Sequence, residues 1–577
     1  LFTVDTGDCV QPEAPCVDPL PANTCQPGIV TTVTGGGAAA YSEQATKTWW
    51  WEDVHPSTRL HPVQRCGPIV DPEDVTANYS GGTYDYVGPI NATRAPGYCT
   101  AVAGNAQWVA VASAGRVDVY DRDTAAMASS FRYRQMLGGS AQHIAAAYGA
   151  AVALRGGMLA VGAPLDKSTK YGPAVDRYDV GGTARGAVYV YEALPSPTYV
   201  APYGEAGYLK PPIAIGDNSN FGASVAVSTD GRVLVVGMPG DAFSTNGGLN
   251  GALACSPPPM GTFTVAAAGG AFVYARGAYV APFLAGDGYW QATKYLREPS
   301  GTFGAGRRFG SSVGVEGVWP TYDVAVGVPL QDRVYVYAVT VAANGGDGTV
   351  GAPPQALVPG TPSAASGSRF GTSVAVVGVA ATVRTIVVGA PLDSVQPTMM
   401  PFHPAGTAST SAAPTAGGVW IYEWTGATYA AKWLYKSNIL GNKLGTTLGA
   451  REMGSGAVYV AIGAPEDDAE GYGKISTYVG GTVNRGGGYM IKRVGIAGTA
   501  WAVVHKAKPI AGFGGDAWFG GGGVDVLSVP AAGAKGAHVR GVYCALQRQN
   551  FRGGANPAVY VTGVAGGGVG GLHGIEE

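Results

Sequence analysis

Few side chains of this 577-residue chain are spaced for chemistry. Seven histidines stand at 55, 61, 143, 403, 505, 538 and 573. No pair has the i, i+4 spacing that sets two imidazoles on one helical face for zinc, and no Cys-x-x-Cys occurs. No nucleophile elbow is announced, and "GFGGDAWFGGGG" mimics a dinucleotide fingerprint without opening a helix. The densest acid cluster is "GAPEDDAEGYG", where Glu466, Asp467, Asp468 and Glu470 offer oxygen ligands to a hard cation. Single acids recur at matching places, Asp166, Asp241 and Asp393, and read first as caps of their own turns. The sequence therefore predicts no catalytic residue and no enzyme.

Composition narrows the class further. The net charge is -2, which gives no electrostatic case for nucleic acid. No apolar run approaches the roughly 20 residues that span a bilayer. Charged residues are only 13% and glycines number 92, a balance that suits an all-β body with many tight turns. Of seven cysteines, Cys9, Cys16, Cys25 and Cys66 crowd a Pro-rich N-terminal extension, while Cys99, Cys255 and Cys544 are scattered. All are disulfide candidates, and an odd count leaves one thiol free or paired outside the chain. Sequons at Asn78 and Asn91 are candidate glycosylation sites. With the leading Leu1, read as the trace of a removed signal peptide, these features predict a secreted or cell-surface protein.

The elements that must carry these residues repeat. "FGASVAVSTDGRVLVVGMPGD" at 221–241 returns as "FGSSVGVEGVWPTYDVAVGVPLQD" from Phe309 and "FGTSVAVVGVAATVRTIVVGAPLD" from Phe370. Related openings begin at Tyr98, Tyr148, Leu444 and Phe519. Each copy reads as an aromatic-Gly step, an alternating strand, a turn, an apolar strand ending in Gly-x-Pro, a connector of variable length and two further strands. Four antiparallel strands repeated seven times predict a seven-bladed β-propeller over residues 98–577, preceded by a disulfide-stapled extension over 1–97. Neighbouring blades would cover both faces of each inner strand and hide its edges. The stretch "KTWWWEDVHPSTRL" at 47–60 has the pattern of a fourth strand and is expected to complete the last blade.

Phe370-Gly371 followed by Gly389-Ala390-Pro391, and Tyr148-Gly149 followed by Gly162-Ala163-Pro164, resemble the FG-GAP repeat family, which includes the integrin α-subunit head. The resemblance covers about residues 98–577 and implies a propeller that serves as a recognition and assembly platform. Many members bind calcium through Asp-x-Asp-x-Asp-Gly between their first two strands. Here the same loops read "STDGR", "EGVWPTYD" and "VGVAATVR", so calcium sites are not carried over to them and no cofactor is expected.

The longest insertions, 166–185, 241–268 and 393–416, all follow a second strand and would leave one face of the disc. Tyr171, Tyr178, Phe243 and Phe402 are the candidate anchors of a binding rim there. The expected function is a protein–protein interaction or adhesion module, or a structural component of an extracellular matrix, coat or flagellar surface. Its partners would be other extracellular proteins or copies of itself. A glycan-binding propeller and an extracellular propeller enzyme are the alternatives.

Overall fold

The computed structural model describes Tyr86–Ile90 and most of residues 99–564; the longest omitted connectors are 169–183, 243–265, 277–289, 468–485 and 508–517. The described residues are almost wholly antiparallel β-sheet, with one short helix at Ala141–Ala145. Six sheets form the blades of a propeller. Blade 1 runs Ala101–Gly104, Trp108–Ser113, Arg116–Arg122 and Phe131–Gly138, in spatial order. Blades 2 and 3 open at Ala151–Arg155 and Ser224–Val227 and end at Tyr203–Leu209 and Trp290–Leu296.

Blade 4 opens at Ser312–Val318, and two short pieces, Thr349–Val350 and Gln355–Leu357, share its outer position. Blade 5 spans Ser373–Val377 to Tyr429–Lys436 and gains a fifth strand, Phe402–Pro404, on its outer edge. Blade 6 spans Thr447–Glu452 to Ala500–Ala507.

A further antiparallel sheet orders Phe519–Val529, His538–Ala545, Val559–Val564 and Tyr86–Ile90. Its outer strand comes from the N-terminal part of the chain, with Ile90 opposite Val559. The stretch 47–60 lies outside the described residues. Val524, Val526 and Tyr543 of this sheet share one core with Val109 and Val111 of blade 1 and Ala461 and Met490 of blade 6. A disulfide joins Cys99, just before blade 1, to Cys544 of this sheet. Of the seven cysteines these two are paired; Cys9, Cys16, Cys25, Cys66 and Cys255 lie outside the described residues.

The repeated phrase acts between blades as well as within them. In blade 5 the Gly371 N–H donates to the Gly389 carbonyl at 3.0 Å. A Cβ on Gly389 would then stand 2.0 Å from the carbonyl oxygen of Gly445, which opens blade 6. Gly445 itself has φ +89°, a conformation open to glycine. The aromatic-Gly step of one blade thus lies on the Gly-x-Pro step of the blade before it.

A hydroxyl completes the junctions of blades 3 to 4, 4 to 5 and 5 to 6, whereas blade 2 has Ala151 at that place. Ser224 donates to Gly310 O at 2.9 Å, Ser312 to Gly371 O at 2.7 Å and Ser373 to Gly445 O at 2.7 Å. The aromatic of the step is sealed in, with Phe221, Phe309 and Phe370 at 0% exposure. Farther out, the third and fourth strands lose register at a similar place in five blades, as at Val273/Tyr274 and Ile421/Tyr422. Such bulges increase local twist.

Candidate functional site

Antiparallel order gives the disc two unlike faces. The hairpins between first and second strands share one face with the turns between third and fourth. The connectors between second and third strands share the opposite face with the links from blade to blade. The long 2–3 connectors belong to blades 2, 3, 5 and 6, whereas blade 4 turns there within Pro329–Gln331. The longest connectors thus leave one face, while 277–289, between the third and fourth strands of blade 3, leaves the other.

The acid that follows the second strand is a structural tie rather than an exposed ligand. Asp166 accepts from Tyr208 Oη at 2.9 Å, Lys210 Nζ at 3.0 Å and the Ser168 N–H at 3.0 Å. Asp241 accepts from Tyr295 Oη at 2.7 Å, and Asp467 from Tyr489 Oη at 2.6 Å. Asp393 pairs with Lys436 at 3.1 Å. All four aspartates are buried. Each N–H also closes the turn, as Asp467 N does on Ala464 O at 3.1 Å, and Asp166 caps its turn with the side chain through the Ser168 N–H. The outward reach to a Tyr or Lys of the outer strands is the part that sequence reasoning missed. Its signal is a Tyr or Lys near the end of the fourth strand, as in "YLK" at 208–210 and "LYK" at 434–436. Burial beside Asp241 raises the Tyr295 hydroxyl well above its ordinary value, and Tyr489 behaves alike beside Asp467.

The proposed cation cluster is divided in the structure. Asp467 is committed to Tyr489, and Glu466 pairs with Lys443. Asp468 and Glu470 lie outside the described residues. Among the described residues no group of three metal-ligating side chains gathers. The acids at the hairpins between first and second strands are also occupied by protein donors. Asp230 accepts from Ser228 Oγ and Tyr322 Oη, each at 2.5 Å, and Asp323 accepts from Arg384 at 2.9 Å and Tyr429 at 2.6 Å.

Of the rim aromatics, Phe402 stands in the extra edge strand of blade 5, opposite Tyr435. That position places it on a sheet edge rather than in a free loop. Tyr171, Tyr178 and Phe243 lie outside the described residues, as do Asn78 and Asn91. His143 sits in the short helix, where its ring meets Tyr148 edge-on at 4.9 Å. Gly310–Gly314 spells Gly-x-Ser-x-Gly, the letters of a hydrolase elbow, but Ser312 begins a strand and donates to Gly371.

The charged cluster that sequence reasoning overlooked lies where first strands meet at the propeller axis. Asp525, in the first strand of the further sheet, is 4% exposed. Arg155 at the end of blade 2's first strand grips it with both terminal nitrogens, at 3.0 and 3.3 Å. Arg451 of blade 6 stands 3.7 Å away and donates to the Gly104 carbonyl of blade 1. The Gly104 N–H donates to Asp525 at 2.9 Å, and Arg155 also reaches Ala450 O of blade 6 at 3.2 Å. One carboxylate thus unites four sheets.

Burial would raise the Asp525 carboxyl, but the two guanidiniums outweigh it and hold it below the usual carboxylate range. Burial, with Arg155 adding repulsion, pushes Arg451 down to about 9. Glu316 of blade 4 lies near enough for Arg155 to favour its charge, yet burial raises it; Thr229 of blade 3 donates to it at 2.6 Å. The sequence signal was a charge ending an apolar first strand, as in "VALR", "VGVE" and "LGARE". On the other face, buried Glu298 pairs with Arg307 at 3.1 Å. Burial lifts its carboxyl to about 7 against the opposing pull of Arg307 and Arg333.

No family model matches the chain, and no curated protein does. Among solved structures, it is similar to Hsv2 from Kluyveromyces lactis at 7% identity and a TM-score of 0.27, over 60% of this chain and 76% of that one. It is also similar to a subtype N11 neuraminidase-like protein from an influenza virus of a flat-faced bat, at 9% identity and a TM-score of 0.22, over 60% of this chain and 88% of that one. Among the described residues no helix is long and apolar enough to cross a membrane.

Proposed function

We propose that this protein is an FG-GAP-type propeller that works outside the cell as a protein-binding scaffold or a building block of an extracellular assembly. On this reading the sheet from Phe519 to Val564, with Tyr86–Ile90 at its edge, is the seventh blade. The observation that carries the reading is the division of labour between core and face. The recurring acids and the axial arginines are spent on internal ties, while four blades enlarge their connectors on one side of a rigid disc. Loops set on such scaffolds commonly carry recognition. The buried Cys99–Cys544 bridge suits an oxidising compartment.

Cross-linking mass spectrometry on the protein in its native extracellular material tests this. Repeated links from 166–185, 241–268 or 393–416 to one structural protein, or to another copy, are expected. A protein that links to nothing, yet binds a glycan array or turns over a substrate, overturns the reading.

A further inference from the structure

We propose that Lys436 and Asp393 form a self-modification site, condensing to an amide that ties the base of blade 5's long connector to its outer strand. Three features of geometry support this. The Nζ atom lies 3.1 Å from Asp393 Oδ1, and both side chains are 0% exposed. The same nitrogen donates to the Asp393 carbonyl at 3.1 Å, which holds it beside the carboxyl group. Gly418 packs on the pair so closely that a Cβ there would meet Lys436 Cδ at 3.0 Å and Asp393 Oδ2 at 3.3 Å.

The chemistry follows from burial. A dry ion pair bears a desolvation cost that its mutual attraction only partly offsets. Burial lowers the Lys436 ammonium from its ordinary value, against the opposing effect of Asp393, and so favours the neutral, nucleophilic amine. Transfer of one proton from ammonium to carboxylate inside the pair gives an amine facing a carboxylic acid, with no change in net charge. The nitrogen lone pair then attacks Cγ. A C–N bond forms, a C–O bond breaks, and the hydroxyl leaves with the second amine proton as water. No oxidant, reductant or cofactor is consumed. Holding the two groups in contact supplies the high effective concentration that amide formation lacks in solution. The corresponding pair in blade 2, Lys210 and Asp166, is held differently: three donors converge on Asp166 Oδ1.

Intact-mass measurement and peptide mapping of the folded, full-length chain decide the matter. A mass lower by one water is expected, together with a branched peptide joining the segment with Asp393 to the segment with Lys436. Lys436→Arg keeps the ion pair and should lose the branched peptide. Recovery of both segments only as linear, unmodified peptides after prolonged incubation overturns the proposal. Loss of one water without the branched peptide, which marks a cyclic imide, overturns it equally.

Discussion

Asp525 shows how much one side chain can carry in a ring. It is the carboxylate that pairs with both Arg155 and Arg451 at the axis, so Asp525→Asn leaves two buried guanidiniums without their ion-pair partner. Breaking a buried pair in this way costs about 3–5 kcal/mol; a thermal melt should fall well below that of the unaltered protein. The pH response of this group has a definite sign. Its folded value is depressed, so its contribution is present above the ordinary 3.8 and is lost as pH falls through and below it. Glu298 has the opposite sign. Its carboxyl holds a proton up to about 7 in the folded state against 4.5 ordinarily, so stability falls as pH rises between those values. Glu298→Gln should flatten urea-midpoint curves across that window, and an unchanged slope would count against this assignment. Neither residue stood out in the sequence, because each charge looked like the polar end of a strand. Their partners lie hundreds of positions away or in the next link.

At the scale of elements, the repeated phrase was legible because both halves of the blade junction are short and local. An aromatic-Gly step and a Gly-x-Pro step can be recognised by letters alone. That one packs on the next copy's other half could not be read, since the contact joins different repeats. The hydroxyl two residues after the step glycine makes this concrete. Ser373→Ala removes the bond to Gly445 O across the junction of blades 5 and 6 and should cost about 1 kcal/mol. Gly389→Ala should be far worse, because its new methyl would meet the Gly445 carbonyl oxygen at 2.0 Å and Ser373 Oγ at 2.3 Å. Chemical denaturation of the two variants should rank them in that order.

A quieter junction uses amides. Gln135 accepts from Tyr203 N–H and donates to Tyr203 O, at 2.9 Å each, and Gln355 repeats the arrangement with Tyr429. Nothing in the sequence pattern marks these glutamines, since they face a neighbouring outer strand rather than the core.

At the scale of the molecule, the all-β class and the propeller were readable, while the outer strand of the last sheet was not. Tyr86–Ile90 carries Pro89 and lacks the aromatic-rich pattern of its counterparts, so the repeat grammar passes over it. The Cys99–Cys544 bridge spans a sequence separation of 445, and removing a native disulfide commonly costs about 2–5 kcal/mol. Cys544→Ser should lower the melting temperature, and reductant should then shift it by less than it shifts the unaltered protein. The same bridge bears on biosynthesis. A nascent chain emerges at about 5–20 residues per second. Tyr86–Ile90 therefore waits without its strand partner, and Cys99 without its sulfur partner, while more than 400 further residues are translated. A stop before Cys544 leaves Cys99 without its sulfur partner, and a stop before Val559 leaves Tyr86–Ile90 without its strand partner. Both are features that thiol-based retention and chaperones can detect, so the Cys99–Cys544 bond also reports that synthesis has passed the last described sheet.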